Sequence, residues 1–122
     1  MRSLDAVQEL FRAWERGDAR AVANLFTEHG VYEDPLMPES LKGSEGIRQG
    51  CAQAMAALRE VRIETRQALE DTRRGFVEGF FRSEDVQSGR RFDFPFALLV
   101  ELENGRIARL AEYFDTHPLV GG

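Results

Sequence analysis

The segment Arg91-Phe-Asp-Phe-Pro-Phe-Ala-Leu-Leu-Val-Glu-Leu-Glu103, followed by Asn104-Gly105, decides the fold of this chain. Large apolar residues occupy every second position from Phe92 to Leu102, which is typical of a strand with one buried face. Asn-Gly is a strong hairpin signal. A last strand, Arg106 to Asp115, is therefore expected to return beside the strand over residues 91 to 103. The C-terminal part of the chain is therefore predicted to be a β-meander.

Two earlier segments show the same period of two, starting at Arg59. In the first, Val61 and Ile63 begin an apolar row that is expected to include Leu69, and in the second the row begins at Val77. Consecutive antiparallel strands with one apolar face form a sheet with one buried side. Because Pro95 has no backbone N–H to donate, a bulge or bend is expected at that position.

Apolar residues at helical spacing predict three helices before the first long strand. The first covers about residues 3 to 16, and Asp18 is expected to cap a second, short helix. Ser44 is expected to cap the third, whose apolar face extends to Leu58. Helices that are separate in sequence from a bent sheet predict the α+β class.

Composition limits the functions that this chain can have. Its 122 residues, 43% hydrophobic and 30% charged, predict one folded domain over residues 1–122. A formal net charge of -5 argues against nucleic-acid binding, and no segment approaches the roughly 20 apolar residues of a membrane span. The lone Cys51 fits a cytoplasmic location. His29 and His117 lack metal-ligand spacing, so no metal is expected. No phosphate-cradling or dinucleotide-binding glycine loop occurs, so no organic cofactor is expected either.

Two acids interrupt rows that are otherwise apolar. In Gly30-Val-Tyr-Glu-Asp-Pro35, strand alternation places Tyr32 and Asp34 on one face. In the last strand, Glu112 shares a face with Leu110, and this face is expected to point inward, with Ile107 on the other side. A carboxylate desolvated on such a face has a raised pKa and can transfer protons near neutral pH. The structural alternatives are an Asx turn at Asp34 and an arginine partner for Glu112.

The chain resembles the SnoaL-like group of the nuclear-transport-factor-2-like superfamily. Five motifs, in order, carry the resemblance: Phe11-Arg-Ala-Trp14, Val31-Tyr-Glu-Asp-Pro35, Lys42-Gly-Ser-Glu-Gly-Ile47, Asn104-Gly-Arg-Ile107 and Glu112-Tyr-Phe-Asp115. The resemblance implies a cystatin-like α+β roll, in which a cone-shaped, curved antiparallel sheet wraps around three N-terminal helices. It also implies an apolar pocket and a homodimer formed through the outer sheet face.

Ketosteroid isomerases of this superfamily hold their general base in an acid-proline motif, which Asp34-Pro35 matches. The tyrosine and aspartate of their oxyanion hole correspond to Leu10 and Leu98 here. The resemblance therefore implies a base without its usual oxyanion partners.

Limonene-epoxide hydrolases, another branch, give a second incomplete match. Their water-orienting tyrosine and asparagine correspond to Tyr32 and Asp34, and a catalytic aspartate corresponds to Glu112. Their arginine and aspartate on a middle strand correspond to Gly79 and Phe81.

The residues thus support two hypotheses. In one, the protein is a cofactor-independent isomerase, cyclase or hydrolase of a small apolar molecule, with Asp34 as general base, Glu112 as acid or water-orienting partner and Tyr32 as hydrogen-bond donor. In the other, it is a non-catalytic ligand-binding or dimerisation module. In the first hypothesis, the apolar walls of the site are expected to be Leu10, Trp14, Leu58, Phe81, Phe94, Phe96, Leu98, Leu110 and Phe114.

Overall fold

The computed structural model describes residues 1 to 120; residues 121 and 122, the end of the domain expected over 1–122, lie outside it. The helices are α1 Ser3–Arg16, α2 Ala19–Asn24, α3 Gly43–Ala56 and α4 His117–Val120. The strands are β1 Phe26–Glu33, β2 Leu41–Lys42, β3 Leu58–Glu70, β4 Arg74–Asp85, β5 Arg91–Glu103 and β6 Arg106–Tyr113. No helix within residues 1 to 120 is long and apolar enough to cross a membrane.

The six strands form one sheet in the order β2-β1-β6-β5-β4-β3. In the chain, α1 and α2 precede β1, and α3 lies between β2 and β3. The α+β class and the cone of helices and curved sheet are confirmed. One part of the expectation is wrong, because the sheet is mixed rather than antiparallel throughout: β1 and β6 run parallel. A parallel pair needs a long crossover, and here the chain from β2 to β5 provides it.

Register shifts overturn two predicted side-chain orientations. Near the start of β6, Glu101 pairs with Arg109 but Leu102 pairs with Ile107, so Ala108 is an extra, bulged residue. The bulge reverses the alternation, and Ile107, expected on the outside, is fully buried. A similar shift in β3, between its residues 65 and 67, leaves Leu69, expected inside, 68% exposed. Simple alternation fails at both places because it assumes an unbroken ladder.

The bulge expected at Pro95 is absent, since β4 and β5 pair without a register shift from one end to the other. The reason lies in the neighbouring strand. The β5–β6 ladder reaches only to Ala97, which pairs with Tyr113. Pro95 is therefore beyond the part of β5 that is flanked on both sides, and a missing N–H is tolerated at such an edge position.

The helices follow the predicted order with one misplaced cap. The first helix is confirmed at Ser3–Arg16, and Asp18 caps α2 by accepting a hydrogen bond from Ala21 N at 3.0 Å. The prediction that Ser44 caps α3 is wrong, because the N-cap is Lys42 and makes no side-chain capping bond. Leu58, expected on the apolar face of α3, instead begins β3.

The hydrophobic core lies between the helices and the concave face of the sheet. Its fully buried members come from every layer, including Leu10 of α1, Val22 of α2, Ile47 of α3 and Leu98 of β5. On the sheet side, buried core residues lie on β1, β6 and β5, among them Phe26, Leu110 and Val100. At the other end of the long strands the helices no longer cover the sheet completely, and this is where the candidate site lies.

Candidate functional site

Asp34 lies one residue beyond the end of β1, at the start of the loop that leads to β2. Its Oδ1 accepts a hydrogen bond from Leu36 N at 2.8 Å, which is the Asx turn considered as a structural alternative. The same side chain also lines a cavity in the protein. The two interpretations are therefore compatible, because one carboxylate oxygen holds the loop and the residue still faces the cavity.

Glu112 is brought to Asp34 by the parallel pairing of β1 with β6. Tyr32 pairs with Leu110 and Glu33 pairs with Ala111, so continuing this register by one residue places Asp34 beside Glu112. Both acids line the cavity. We call Asp34 and Glu112 the carboxyl pair.

The expected arginine partner of Glu112 is absent from the described structure, and Tyr32 takes its place. The buried Tyr32 hydroxyl donates a hydrogen bond to Glu112 Oε1. The nearby Arg109 is directed elsewhere, since it pairs with Glu33 at 2.6 Å and with Glu101 at 3.0 Å. Tyr32 itself is not part of the cavity lining, so it acts on the cavity through Glu112.

Burial and mutual repulsion shift the acid–base properties of this cluster. Desolvation and then the neighbouring Asp34 charge raise the pKa of Glu112 to about 8, against a smaller lowering by the Tyr32 hydrogen bond. Burial, followed by the charge of Glu112, also raises the pKa of Tyr32 well above its usual value. Burial raises the pKa of the adjacent Cys51 thiol to about 12. Near neutral pH, Glu112 therefore carries a proton, and Tyr32 and Cys51 are uncharged.

The cavity has a volume of about 350 Å³ and lies between α1, the end of α3 and the concave face of the sheet. Of the walls predicted from sequence, eight residues line it: Leu10, Trp14, Leu58, Phe81, Phe94, Phe96, Leu98 and Phe114. Leu110 does not; it is fully buried in the core, where it pairs with Tyr32 across β6 and β1. The lining residues that sequence reasoning missed are Phe11, Leu36, Ala54, Ala57, Ile63, Ser83, Asp85, Phe92 and Leu119.

Aromatic rings form a continuous wall along the sheet. The Phe81 and Phe94 ring centroids lie 5.3 Å apart, and those of Phe94 and Phe114 lie 5.0 Å apart. From the helix side, Trp14 meets Phe81 edge-on at 6.5 Å. Contacts of this kind hold aromatic side chains in place, so the wall presents a firm apolar surface next to the carboxyl pair.

The charges that line the cavity are all acidic. Asp34, Asp85 and Glu112 contribute, and no Lys, Arg or His is among the lining residues of the described chain. Within residues 1 to 120, no group of three or more His, Cys, Asp or Glu side chains is arranged to hold a metal ion. The cavity therefore suits uncharged or cationic molecules and disfavours anions.

The family of this chain can be assigned from a sequence match. The SnoaL-like domain model matches residues 7–110. The chain is a member of the SnoaL-like family. No curated protein matches it significantly in sequence, so within this family the comparison is with solved structures.

Solved structures confirm the SnoaL-like fold at low sequence identity. A hypothetical protein with a ketosteroid isomerase-like fold from Catenulispora acidiphila, solved with trimethylamine, has a TM-score of 0.85 and 20% identity over 93% of this chain and 87% of its own. A proposed SnoaL-like polyketide cyclase from Jannaschia has a TM-score of 0.84 and 13% identity over 95% and 87%. The epoxide hydrolase/cyclase-like enzyme SalBIII, of pyran-ring formation in salinomycin, has a TM-score of 0.79 and 22% identity over 92% and 89%.

The positions where this SnoaL-like protein departs from the isomerases and epoxide hydrolases can now be located. Leu10 and Leu98, which the family resemblance matched to the oxyanion hole of the isomerases, are each 1% exposed and line the cavity. Leu98 pairs directly with Glu112 across β5 and β6. Gly79 is buried, and a Cβ there would lie 2.2 Å from Glu64 O, so the backbone leaves no room for an arginine.

Proposed function

We propose that this SnoaL-like protein is a cofactor-independent enzyme that moves a proton on a small, mostly apolar carbonyl or epoxide compound. The observation that carries the proposal is the carboxyl pair at the wall of an apolar cavity, with the pKa of Glu112 raised to about 8. A carboxyl group that keeps its proton can act as an acid, and a second, ionised carboxyl group beside it can act as a base. Isomerisation, aldol-type cyclisation and hydration all require this combination.

Each member of the cluster has a distinct part in the proposal. Glu112, protonated at neutral pH, donates a hydrogen bond or its proton to the oxygen of the substrate. Because Glu112 faces Leu98 across the strands, it takes over the donor position that an aspartate holds in the isomerases. Asp34 is the general base. Tyr32 is a positioning residue, since its hydroxyl holds Glu112.

The comparisons support this chemistry without naming a substrate. The structural neighbours include proteins described as a polyketide cyclase and as an epoxide hydrolase/cyclase-like enzyme. Both reaction types act on oxygen-containing, otherwise apolar skeletons. The low identities mean that the fold is shared, whereas the reaction of this chain rests on its own carboxyl pair.

A test of the proposal is hydrogen–deuterium exchange at the carbon next to a carbonyl group, followed by NMR on a panel of cyclic ketones, with epoxide hydrolysis measured in parallel. We expect the wild type to accelerate one of these reactions, and Asp34→Asn to lower the rate by about 10²–10⁴-fold because it keeps the loop hydrogen bond but removes the base. Glu112→Gln should lower the rate comparably. Glu39→Gln, at an exposed site away from the cavity, is the matched control.

The pH profile separates the roles further. The rate should fall as pH rises through about 8, where Glu112 loses its proton. Tyr32→Phe removes a hydrogen bond that lowers the pKa of Glu112, so it should move this alkaline limb to higher pH. Wild-type rates equal to those of the Asp34→Asn/Glu112→Gln double variant on every substrate would instead identify a non-catalytic ligand-binding module.

A further inference from the structure

Ser83 is a buried polar residue in the cavity wall that the carboxyl pair does not explain. It lies on β4, directly opposite Phe92 of β5, and both residues line the cavity. Ser83 is 0% exposed. Among residues 1 to 120, its Oγ is the only buried side-chain nitrogen or oxygen atom without a hydrogen-bond partner.

A buried hydroxyl without a partner is unusual, because desolvation is not compensated. Nothing in the packing requires a hydroxyl here, since the neighbouring inward positions on β4 are Val77, Gly79 and Phe81. An alanine would fill the same space without the unpaired oxygen. A hydroxyl at this position is therefore explained best by a partner that comes from the cavity.

Ser83 and the carboxyl pair lie at different ends of the cavity. Along β5, Leu98 faces Glu112 and Phe92 faces Ser83, and these two positions are six residues apart. Six residues of strand span about 20 Å, which the curvature of the sheet shortens across the concave side. The rings of Phe94 and Phe81 lie between the two ends. The middle of the cavity is thus apolar, with the carboxyl pair near one end and Ser83 and Asp85 near the other.

The charge of the cavity restricts what Ser83 can bind. Its lining contains acids and no basic side chain, so a carboxylate or phosphate at the Ser83 end would be repelled without any compensating cation. Asp85, two residues further on the same strand face, is occupied by the turn, since it accepts a hydrogen bond from Gln87 N at 3.0 Å. An anionic partner for Ser83 is therefore excluded, and a neutral hydroxyl or carbonyl fits the largely apolar wall around it.

We propose that Ser83 is a specificity-determining residue that hydrogen bonds to a neutral hydroxyl or carbonyl at the far end of the ligand. This proposal rests on the proposed function, because it takes the reacting carbonyl or epoxide group to lie at the carboxyl pair. It narrows the substrate class to elongated, uncharged, ring-containing molecules with an oxygen at each end.

The test measures binding by calorimetry with a matched pair of probes. One is cyclohexanone carrying a phenyl ring opposite the carbonyl, and the other has an added para-hydroxyl on that ring. A longer pair, with biphenyl in place of phenyl, extends the test to a longer ligand. We expect the wild type to prefer the hydroxylated member of at least one pair by about 5- to 10-fold, as one neutral hydrogen bond allows.

Ser83→Ala should abolish that preference while leaving the affinity for the plain ketone unchanged, and Ser83→Cys, of nearly equal volume, should behave in the same way. Ser44→Ala, at an exposed serine outside the cavity, should keep it. A preference that survives in Ser83→Ala, or no preference in the wild type, overturns the proposal and assigns the hydroxyl to an ordered water or to packing alone.

The binding and exchange measurements together distinguish a failure of this inference from a failure of the proposed function. Selectivity that depends on Ser83 without hydrogen exchange at the ketone would support this inference and contradict the proposed function. Hydrogen exchange at the ketone without selectivity that depends on Ser83 would support the proposed function and contradict this inference. Failure of all four ketones to bind the wild type would overturn both.

Discussion

The acid–base behaviour of Glu112 has a consequence for stability as well as for chemistry. Its pKa is about 8 in the folded protein, against 4.5 for an unperturbed glutamate. Between these values the folded state holds a proton that the unfolded state has lost, so stability must fall as pH rises through this window. We expect a loss of about 5 kcal/mol across it, measured by urea denaturation at a series of pH values.

Glu112→Gln cannot ionise, so this variant should lack that slope and should be more stable than the wild type at the alkaline end. Glu39→Gln removes an exposed acid outside the cavity and should keep the slope of the wild type. Equal slopes for the wild type and Glu112→Gln would mean that Glu112 titrates normally and that the cluster is open to water.

At the residue scale, strand alternation was sufficient to find most of the candidate site. It placed Tyr32 and Asp34 on one face and Glu112 inside, and all three are clustered in the structure. It could not show that Tyr32 donates to Glu112, because that contact joins residues 80 positions apart. Ser83 was missed although it continues the inward row of Phe81; a serine in such a row carries no hydrophobic signal.

At the scale of single elements, Gly79 shows how tightly β3 and β4 approach each other. A Cβ on Gly79 would lie 2.2 Å from Glu64 O, next to the register shift in β3. The clash is with backbone, which cannot rotate away. We expect Gly79→Ala to destabilise the protein by at least about 2 kcal/mol, measured by chemical denaturation.

Gly46 is the matched control, since it lies inside α3 and a Cβ added there would have no atom within 4 Å. Gly46→Ala should stabilise the protein by about 0.5–1 kcal/mol, because alanine is the better helix former. If both variants destabilise the fold alike, the close approach at Gly79 is not the cause.

The elements themselves were largely predictable, whereas their irregularities were not. The Asn104-Gly105 hairpin is confirmed, with φ of 51° and 78° at its two residues, as a tight turn with positive φ requires. The bulges at Ala108 and in β3 have no comparable local signal. Alternation counted through them assigned Ile107 and Leu69 to the wrong faces.

At the scale of the whole molecule, the outer face of the sheet predicts self-association. Leu69 and Phe76 pair with each other on β3 and β4 and are 68% and 38% exposed, and Tyr113 on β6 is 54% exposed. We expect a homodimer through this face in light scattering, which would bury about 800 Å² on each chain. Phe76→Glu should convert it to a monomer by placing a charge in the apolar interface.

Val86 provides the control for that experiment. It is a comparably exposed apolar residue, 40% accessible, in the turn between β4 and β5. Val86→Glu adds the same charge and should leave the dimer intact. A wild-type protein that remains monomeric at high concentration would contradict the interface.

The overall architecture was accessible from sequence because most of its strand pairs are neighbours in the chain. The β3–β4, β4–β5 and β5–β6 ladders join consecutive strands, and short connections favour such pairs. The parallel β1–β6 pair joins the first strand to the last. Local patterns carry no information about partners so far apart, and the antiparallel expectation was therefore wrong at that one point.

The β1–β6 pairing also determines at which stage of folding the carboxyl pair can form. The segments that carry Asp34 and Glu112 meet only after the last strand has docked against the first, and contacts of such long sequence separation form slowly because loop closure must come first. Refolding should thus recover the circular-dichroism signal of helices such as α1, whose contacts are local, before it recovers the abnormal titration of Glu112. The carboxyl pair is, in this sense, a built-in indicator of completed folding.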